Sequence, residues 1–419
     1  MIRSMFSAVS GLRNHQTMMD VVGNNIANVN TTGFKSSNVV FQDVLSQVIR
    51  GGGAAAEELG GTNPAQVGLG SRIAAITTNF GQGALQRTGR ATDLAIQGDG
   101  FFAVEQAGQQ LYTRAGSFSV DALGRLVTQE GAFVQGWGAN AAGNVNTNAG
   151  VGKLTIPVGD LTAPITTDRV SIGGNLPGDA DTGTVIANSV EIFDEQGTPW
   201  TLSVQFTRLA GGDWSVEVDH VDPTTGQLAG ALTNIGTVEF GPDGELVNPA
   251  NFELNVSGGL PAAFAGNPVN LGFGTAGGPN RLTQFGDLST VAVLDQNGSA
   301  AGSLQSFTVS QEGLIVGAYS NGRTKAIGQV ALASFANPEG LEKVGGSNYR
   351  PTMNSGLAQI GTAGGGGRGL LSTGTLEMSN VDLAQEFTQL IVSQRGFQAN
   401  SRVVTTSDEL LQEVVNLKR

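Results

Sequence analysis

Few residues in this chain are spaced for chemistry, and each such arrangement has a simpler structural explanation. Gly364, Gly366 and Gly369 fit the G-x-G-x-x-G spacing, with which a glycine turn entering a helix cradles a dinucleotide pyrophosphate. No strand pattern precedes them and Gly374 breaks the stretch that should be helical, so the tract Gly361–Gly369 reads as a linker. His15 and His220 are the only histidines. One chain therefore cannot supply a multi-histidine metal site, and a Ser–His catalytic pair is disfavoured. Asp93, Asp99 and Asp121 suggest a carboxylate cluster, but each adjoins Gly, Thr or Ala in turn-like sequence, where Asx turns use the carboxylate. The triplets Asn30-Thr31-Thr32, Asn255-Val256-Ser257 and Asn297-Gly298-Ser299 match glycosylation sequons, as chance allows in a chain rich in Asn, Ser and Thr. No catalysis, cofactor or metal is expected.

Composition points the same way. A chain of 419 residues can hold two or three domains with real cores. Gly 63 and Pro 13 indicate many turns and a β-rich fold, while a charged fraction of 14% implies a surface of Ser, Thr, Asn, Gln and Gly. The net charge of -13 argues against nucleic acid or an anionic membrane as partner. Cys 0 excludes disulfides and thiolate chemistry. No apolar run is long enough to span a membrane, and residues 1–10 are amphipathic, unlike a cleavable signal.

The elements that do stand out are at the two ends. Ile2, Met5, Val9, Leu12, Gln16, Met19 and Ile26 share one stripe of a helix over residues 2–28. Leu383, Phe387, Leu390, Gln394, Phe397, Ser401, Val404, Asp408, Leu411 and Val415 alternate steps of four and three in a helix expected from Asn380. That alternation is the period of a coiled-coil seam. Such stripes could form the core of an ordinary intramolecular hairpin. Polar residues at seam positions, however, trade stability for register or oligomer choice, as a bundle of many copies requires. Between the ends, glycine-punctuated strands begin near residue 71, residues 34–70 are mixed with a Gly51–Ala56 insert read as a loop, and residues 146–284 read as an inserted β domain. A phrase recurs at Phe118–Val127, at Phe307–Val316 and, shorter, at Gly241–Val247.

The fold class expected is therefore multidomain α+β: paired N- and C-terminal coiled-coil helices with nested, mainly antiparallel β domains between them. Four parts are expected. They are residues 1–30 with 376–419 (terminal helical core), 31–70 with 355–375 (connecting segment), 71–145 with 285–354 (first β domain) and 146–284 (inserted β domain).

Three stretches resemble one family. Met5–Leu12 with Asn24-Asn25-Ile26-Ala27-Asn28-Val29-Asn30-Thr31-Thr32-Gly33-Phe34-Lys35 is similar to the N-terminal signature of the axial proteins of the bacterial flagellum, its rod and hook subunits. Ala91–Phe102 resembles their internal motif, and Ser379–Leu383 with Ser393–Ser401 their C-terminal signature. The long insert and the phrase Ala326–Phe335 resemble the hook members rather than the shorter distal-rod members.

The resemblance implies a self-assembling hook subunit: a curved, flexible, extracellular tube passing motor torque to the filament. A straight distal-rod tube is the alternative, and an exported β-rich adhesin a more remote one. It implies as partners other copies of the chain, distal rod and hook–filament junction proteins, a hook cap and the flagellar type III export apparatus. Neither nucleic acid nor membrane insertion is implied. The helices would line the tube as stacked coiled coils, with the insert outermost. Subunit contacts would involve Met5, Val9, Leu12, Met19, Ile26, Leu383, Phe387, Leu390, Phe397, Val404, Leu411 and Val415. The family-motif positions are Asn24, Asn25, Ala27, Asn28, Gly33, Phe34, Gly98, Gly100, Phe101, Gln394 and Gly396.

Overall fold

The computed structural model describes residues 2–53, 60–159, 161–221, 232–254, 260–275 and 277–416. The alanines of the Gly51–Ala56 insert and the Asn255 sequon lie outside these residues. The chain is mostly β, with one long helix at each end, α1 (Ile2–Ala27) and α2 (Leu383–Asn416). It divides into two compact units: unit 1 is 1–157, 307–317 and 325–419, and unit 2 is 158–306 and 318–324.

In unit 1, α1 contains no proline and ends where Asn28 turns back on Asn24, its amide donating to the Asn24 carbonyl at 2.9 Å. Gly33, at φ 67°, then redirects the chain. Helix α2 begins three residues later than the sequence suggests. Asn380 is engaged elsewhere: its Oδ1 accepts the Ser36 N–H at 2.8 Å and its amide donates to the carbonyls of Asn79 and Gly81. Asp382 caps the helix instead, accepting the Ala384 N–H at 2.9 Å.

Residues 34–70 hold more order than their composition suggests. Ser37–Asp43 pairs antiparallel with Ser71–Thr78, and Ser46–Arg50 with Ala65–Gly68. These strands carry apolar residues on both faces, so the alternation that marks a half-buried strand is missing. The glycine tract does not lead into the last helix. It joins Gln359–Gly361 to Leu370–Thr373, which pairs with Leu94–Gln97; Thr375–Glu377, paired with Leu85–Arg87, follows. The central sheet runs antiparallel from residues 328–330 through Phe133–Gly138, Phe101–Gln106, Gln109–Thr113 and Asn348–Arg350 to Glu342–Gly345. Phe80, Phe101, Phe335 and Tyr349 pack edge to face beside it, with ring centroids 5.3–5.7 Å apart.

Unit 2 stacks two kinds of sheet around Ile172, Phe206, Trp214 and Phe273. One is a meander of Val185–Phe193, Pro199–Arg208, Trp214–Val221, Thr233–Phe240 and Leu246–Asn248 in chain order. In the other, Arg169–Asn175 pairs antiparallel with Ala292–Gln296 and, over short stretches, parallel with Val269–Gly272 and Leu282–Thr283. The recurring sequence phrase proves to be one turn. Asp121–Arg125, Ser310–Leu314 and Gly241–Glu245 each close the same pair of backbone hydrogen bonds around a glycine at φ 76–83°. Turn chemistry alone accounts for the repetition.

Candidate assembly site

The two terminal helices lie antiparallel, and small or polar groups line their contact. A β-carbon on Gly396 would fall within 3 Å of the His15 imidazole, and one on Gly11 would crowd the Asn400 amide. Ser393, fully buried, donates its hydroxyl to the His15 carbonyl at 2.7 Å. Ala8, Val22 and Ser407 are buried along the same line. At the far end Asn25 donates to Glu386 at 3.0 Å and pairs with both backbone groups of Ser37. Burial pushes the Glu386 carboxyl above the ordinary glutamate value; Asn25 partly offsets this and the Asp382 charge adds to it. Its second oxygen has no partner.

The apolar stripes are displaced from this contact by roughly a quarter of a helical turn. On α2, Leu383, Phe387 (51% exposed), Phe397 and Val415 (67%) face outward, while Leu390, Val404 and Leu411 are half-buried. Val392, Val403, Leu410 and Val414 add a second exposed flank. On α1, Met5, Val9, Leu12, Met19 and Ile26 are half-buried and Phe6 is exposed. The hairpin of residues 37–78 exposes Val40, Leu45, Val48, Ile49, Leu69 and Ile76 as well. Exposed apolar area on this scale marks a surface that associates.

Below the helices a buried ionic clasp ties both chain ends to the β sheet. Lys35 Nζ meets Glu377 Oε1 at 2.7 Å, and Arg114 approaches the other carboxylate oxygen at 3.5 Å; Lys35 and Glu377 are both 0% exposed. The Gly83 N–H donates to the same Oε1 at 2.9 Å, Lys35 also donates to the Gly81 carbonyl, and the Gly33 N–H donates to the Glu377 carbonyl. Burial pushes both the Lys35 ammonium and the Arg114 guanidinium below their ordinary values, against the pull of Glu377. Sequence reasoning singled out Gly33 and Phe34 but missed Arg114 and Glu377. Lys343 sits over the Phe34 ring and donates to the Lys35 carbonyl.

The remaining motif positions also shape backbone. Gly98 and Gly100 adopt φ 104° and 129°, and Phe101 joins the aromatic cluster. Asn28 donates to the Asn24 side chain, while Ala27 and Gln394 are exposed. Asp93 and Asp121 act within turns, Asp93 accepting from Thr88 and Asp121 from the backbone of Leu123 and Arg125. Among the described residues no group of His, Asp and Glu is arranged to hold a metal, and no helix is long and apolar enough to cross a membrane.

Four segments of the chain match known protein families. Residues 5–35 match the family "Flagella basal body rod protein", 95–175 the "Flagellar hook protein FlgE/F/G D1 domain", 163–299 the "Flagellar basal body protein FlaE D2 domain" and 372–417 the "Flagellar basal body rod FlgEFG protein C-terminal". The chain is 42% identical to the flagellar hook protein FlgE of Treponema pallidum (strain Nichols), with all of both chains covered. It is 33% identical to the flagellar basal-body rod protein FlgG of Bacillus subtilis (strain 168), again with full coverage of both. Among solved structures, the Helicobacter pylori flagellar hook protein FlgE2 shares the fold with a TM-score of 0.53 at 15% identity, over 70% of this chain and 100% of that one.

Proposed function

We infer that this chain, which belongs to the flagellar hook and rod protein family, is a structural subunit of the flagellar hook. The observation that carries the physical reading is the pair of apolar stripes left partly exposed when the terminal helices meet through small and polar groups. Copies of the same chain supply matching stripes, and two different patches on each subunit repeat without closing, which generates a helical tube.

In that tube the stripe residues of α1 and α2 pack as coiled-coil seams between copies, with residues 1–30 and 376–419 acting as one helical core domain. The connecting segment and two β domains complete the subunit. Packed apolar side chains, at about 25 cal/mol per Å2 buried, resist shear under torque. Polar β surfaces exchange contacts with water and yield during bending. The neighbours of such a polymer are the distal rod, the hook–filament junction proteins and the hook cap, and the subunit leaves the cell through the flagellar type III apparatus.

Phe397→Asp tests this assignment. The variant should retain the unfolding transition of both units yet form no tubes; tubes of normal length and yield would refute it. A rod subunit is the second reading, favoured by the full-length similarity to the Bacillus subtilis rod protein. Electron microscopy of isolated polymer separates the two, since a hook curves and a rod is straight.

A further inference from the structure

The net charge of the chain is confined to one of its two units. Of 22 Lys and Arg and 35 Asp and Glu, unit 2 holds only Arg169, Arg208, Arg281 and Arg323 against 17 carboxylates, a net of -13. Unit 1 holds the remaining 18 of each sign and is neutral. The unit that carries the apolar helices thus has no net repulsion to overcome, while the other carries the whole excess.

The few cations of unit 2 are spent internally. Arg281 pairs with Glu245, Arg208 stacks on Trp214 and donates to the Gly178 carbonyl, and Arg323 donates to the Asn297 carbonyl. Arg169 approaches Asp295 at 3.9 Å. The solvent face of the meander places Glu191 opposite Thr201, Ser189 opposite Ser203, Ala187 opposite Gln205 and Glu217 opposite both Gln205 and Asn234. No Lys or Arg stands on that face among the described residues. Glu191, Glu239, Asp179, Asp181, Glu253 and Asp287 are all exposed.

We propose that unit 2 is an electrostatic spacer: an interaction surface that holds second copies of this chain at a distance through water and counterions. This rests on the assembly reading. Like charges act over a Debye length, about 30 Å at 0.01 M salt and about 3 Å at 1 M. Repulsion between copies therefore leaves the neutral unit 1 to make the adhesive contacts and keeps finished tubes from sticking side by side.

The test uses full-length protein carrying Asp179→Asn, Asp181→Asn, Glu191→Gln, Glu239→Gln, Glu253→Gln and Asp287→Asn together, compared with the unmodified chain. Tubes are sedimented and their side-by-side spacing measured by X-ray scattering in 0.01 M and 1 M NaCl. The unmodified tubes should stay dispersed at low salt and draw together at high salt. The sixfold variant should bundle already at low salt, with at least a twofold smaller change in spacing. Equal behaviour of the two proteins at low salt overturns the spacer. Unchanged tube formation in the variant with altered spacing supports it, and circular dichroism of the variant establishes that it is folded. Failure of both proteins to form tubes at any salt overturns the assembly reading itself, and with it the spacer.

Discussion

Lys35 and Glu377, separated by 342 residues, form an ion pair of 2.7 Å from which solvent is wholly excluded. Arg114 shares the carboxylate and also feels the Asp99 charge, so Glu377 is the anion that both cations have in common. Removing the anion is therefore predicted to cost more than removing either cation. Glu377→Gln strands two buried charges and should destabilise unit 1 by about 3–5 kcal/mol. Lys35→Met leaves the Arg114–Glu377 pair intact and should cost clearly less. Denaturant unfolding of the two variants checks the order, and a larger loss from Lys35→Met would contradict the shared-carboxylate account.

The helix contact makes opposite predictions for two glycines. Gly23 has nothing within 4 Å of an added β-carbon, so Gly23→Ala should stabilise α1 by up to about 1 kcal/mol through helix propensity alone. Gly396→Ala gains the same propensity but drives a methyl group against His15. It should weaken the pairing of α1 with α2, and His15→Ala should restore much of the loss. Thermal unfolding of the single and double variants measures this coupling.

Glu386 gives the helix contact a pH dependence. Its folded-state value is raised above the ordinary 4.5, chiefly by burial. The folded state then holds the proton more tightly than the unfolded one, so the stabilisation is fully present below 4.5 and is lost as pH rises through the raised value. Protection factors of the amides at the start of α2, with the intrinsic slowing of exchange in acid divided out, should accordingly rise on acidification from neutral pH. Glu386→Gln, which keeps the oxygen that accepts from Asn25, should abolish that change; persistence of the pH response in the variant would assign it to another group.

Helix content should rise with assembly. The α1–α2 contact buries few large apolar side chains, and most helical stability comes from packing such a face. Dilute subunit is predicted to show weaker helical circular dichroism than the polymer, with the β signal unchanged. Identical spectra at both concentrations would count against it.

These residues also show what the sequence could reveal. The heptad spacing of Leu383, Phe387, Leu390 and Phe397 is written in side-chain type, so both helices and their apolar stripes were legible. The groups that join α1 to α2, Gly11, Ser393 and Gly396, carry no hydrophobic signal, and a search for periodic apolar residues passes over them. Asn380 looked like a helix start because its type suits a cap; only the fold shows its side chain committed to Ser36, Asn79 and Gly81. Arg114 and Glu377 are isolated charges in sequence, and nothing local reports that they meet. The strands of residues 37–78 were obscured because apolar side chains occupy both of their faces.

The clasp has a mechanical meaning. Backbone leaves α1 through the turn at Gly33 and approaches α2 through Glu377, and at that point the Gly33 N–H donates to the Glu377 carbonyl. Any pull or twist delivered by the helices is thus divided between two covalent lines anchored at one point, as a doubled cord is held by a single knot. Neither line can yield unless three charged side chains give way together.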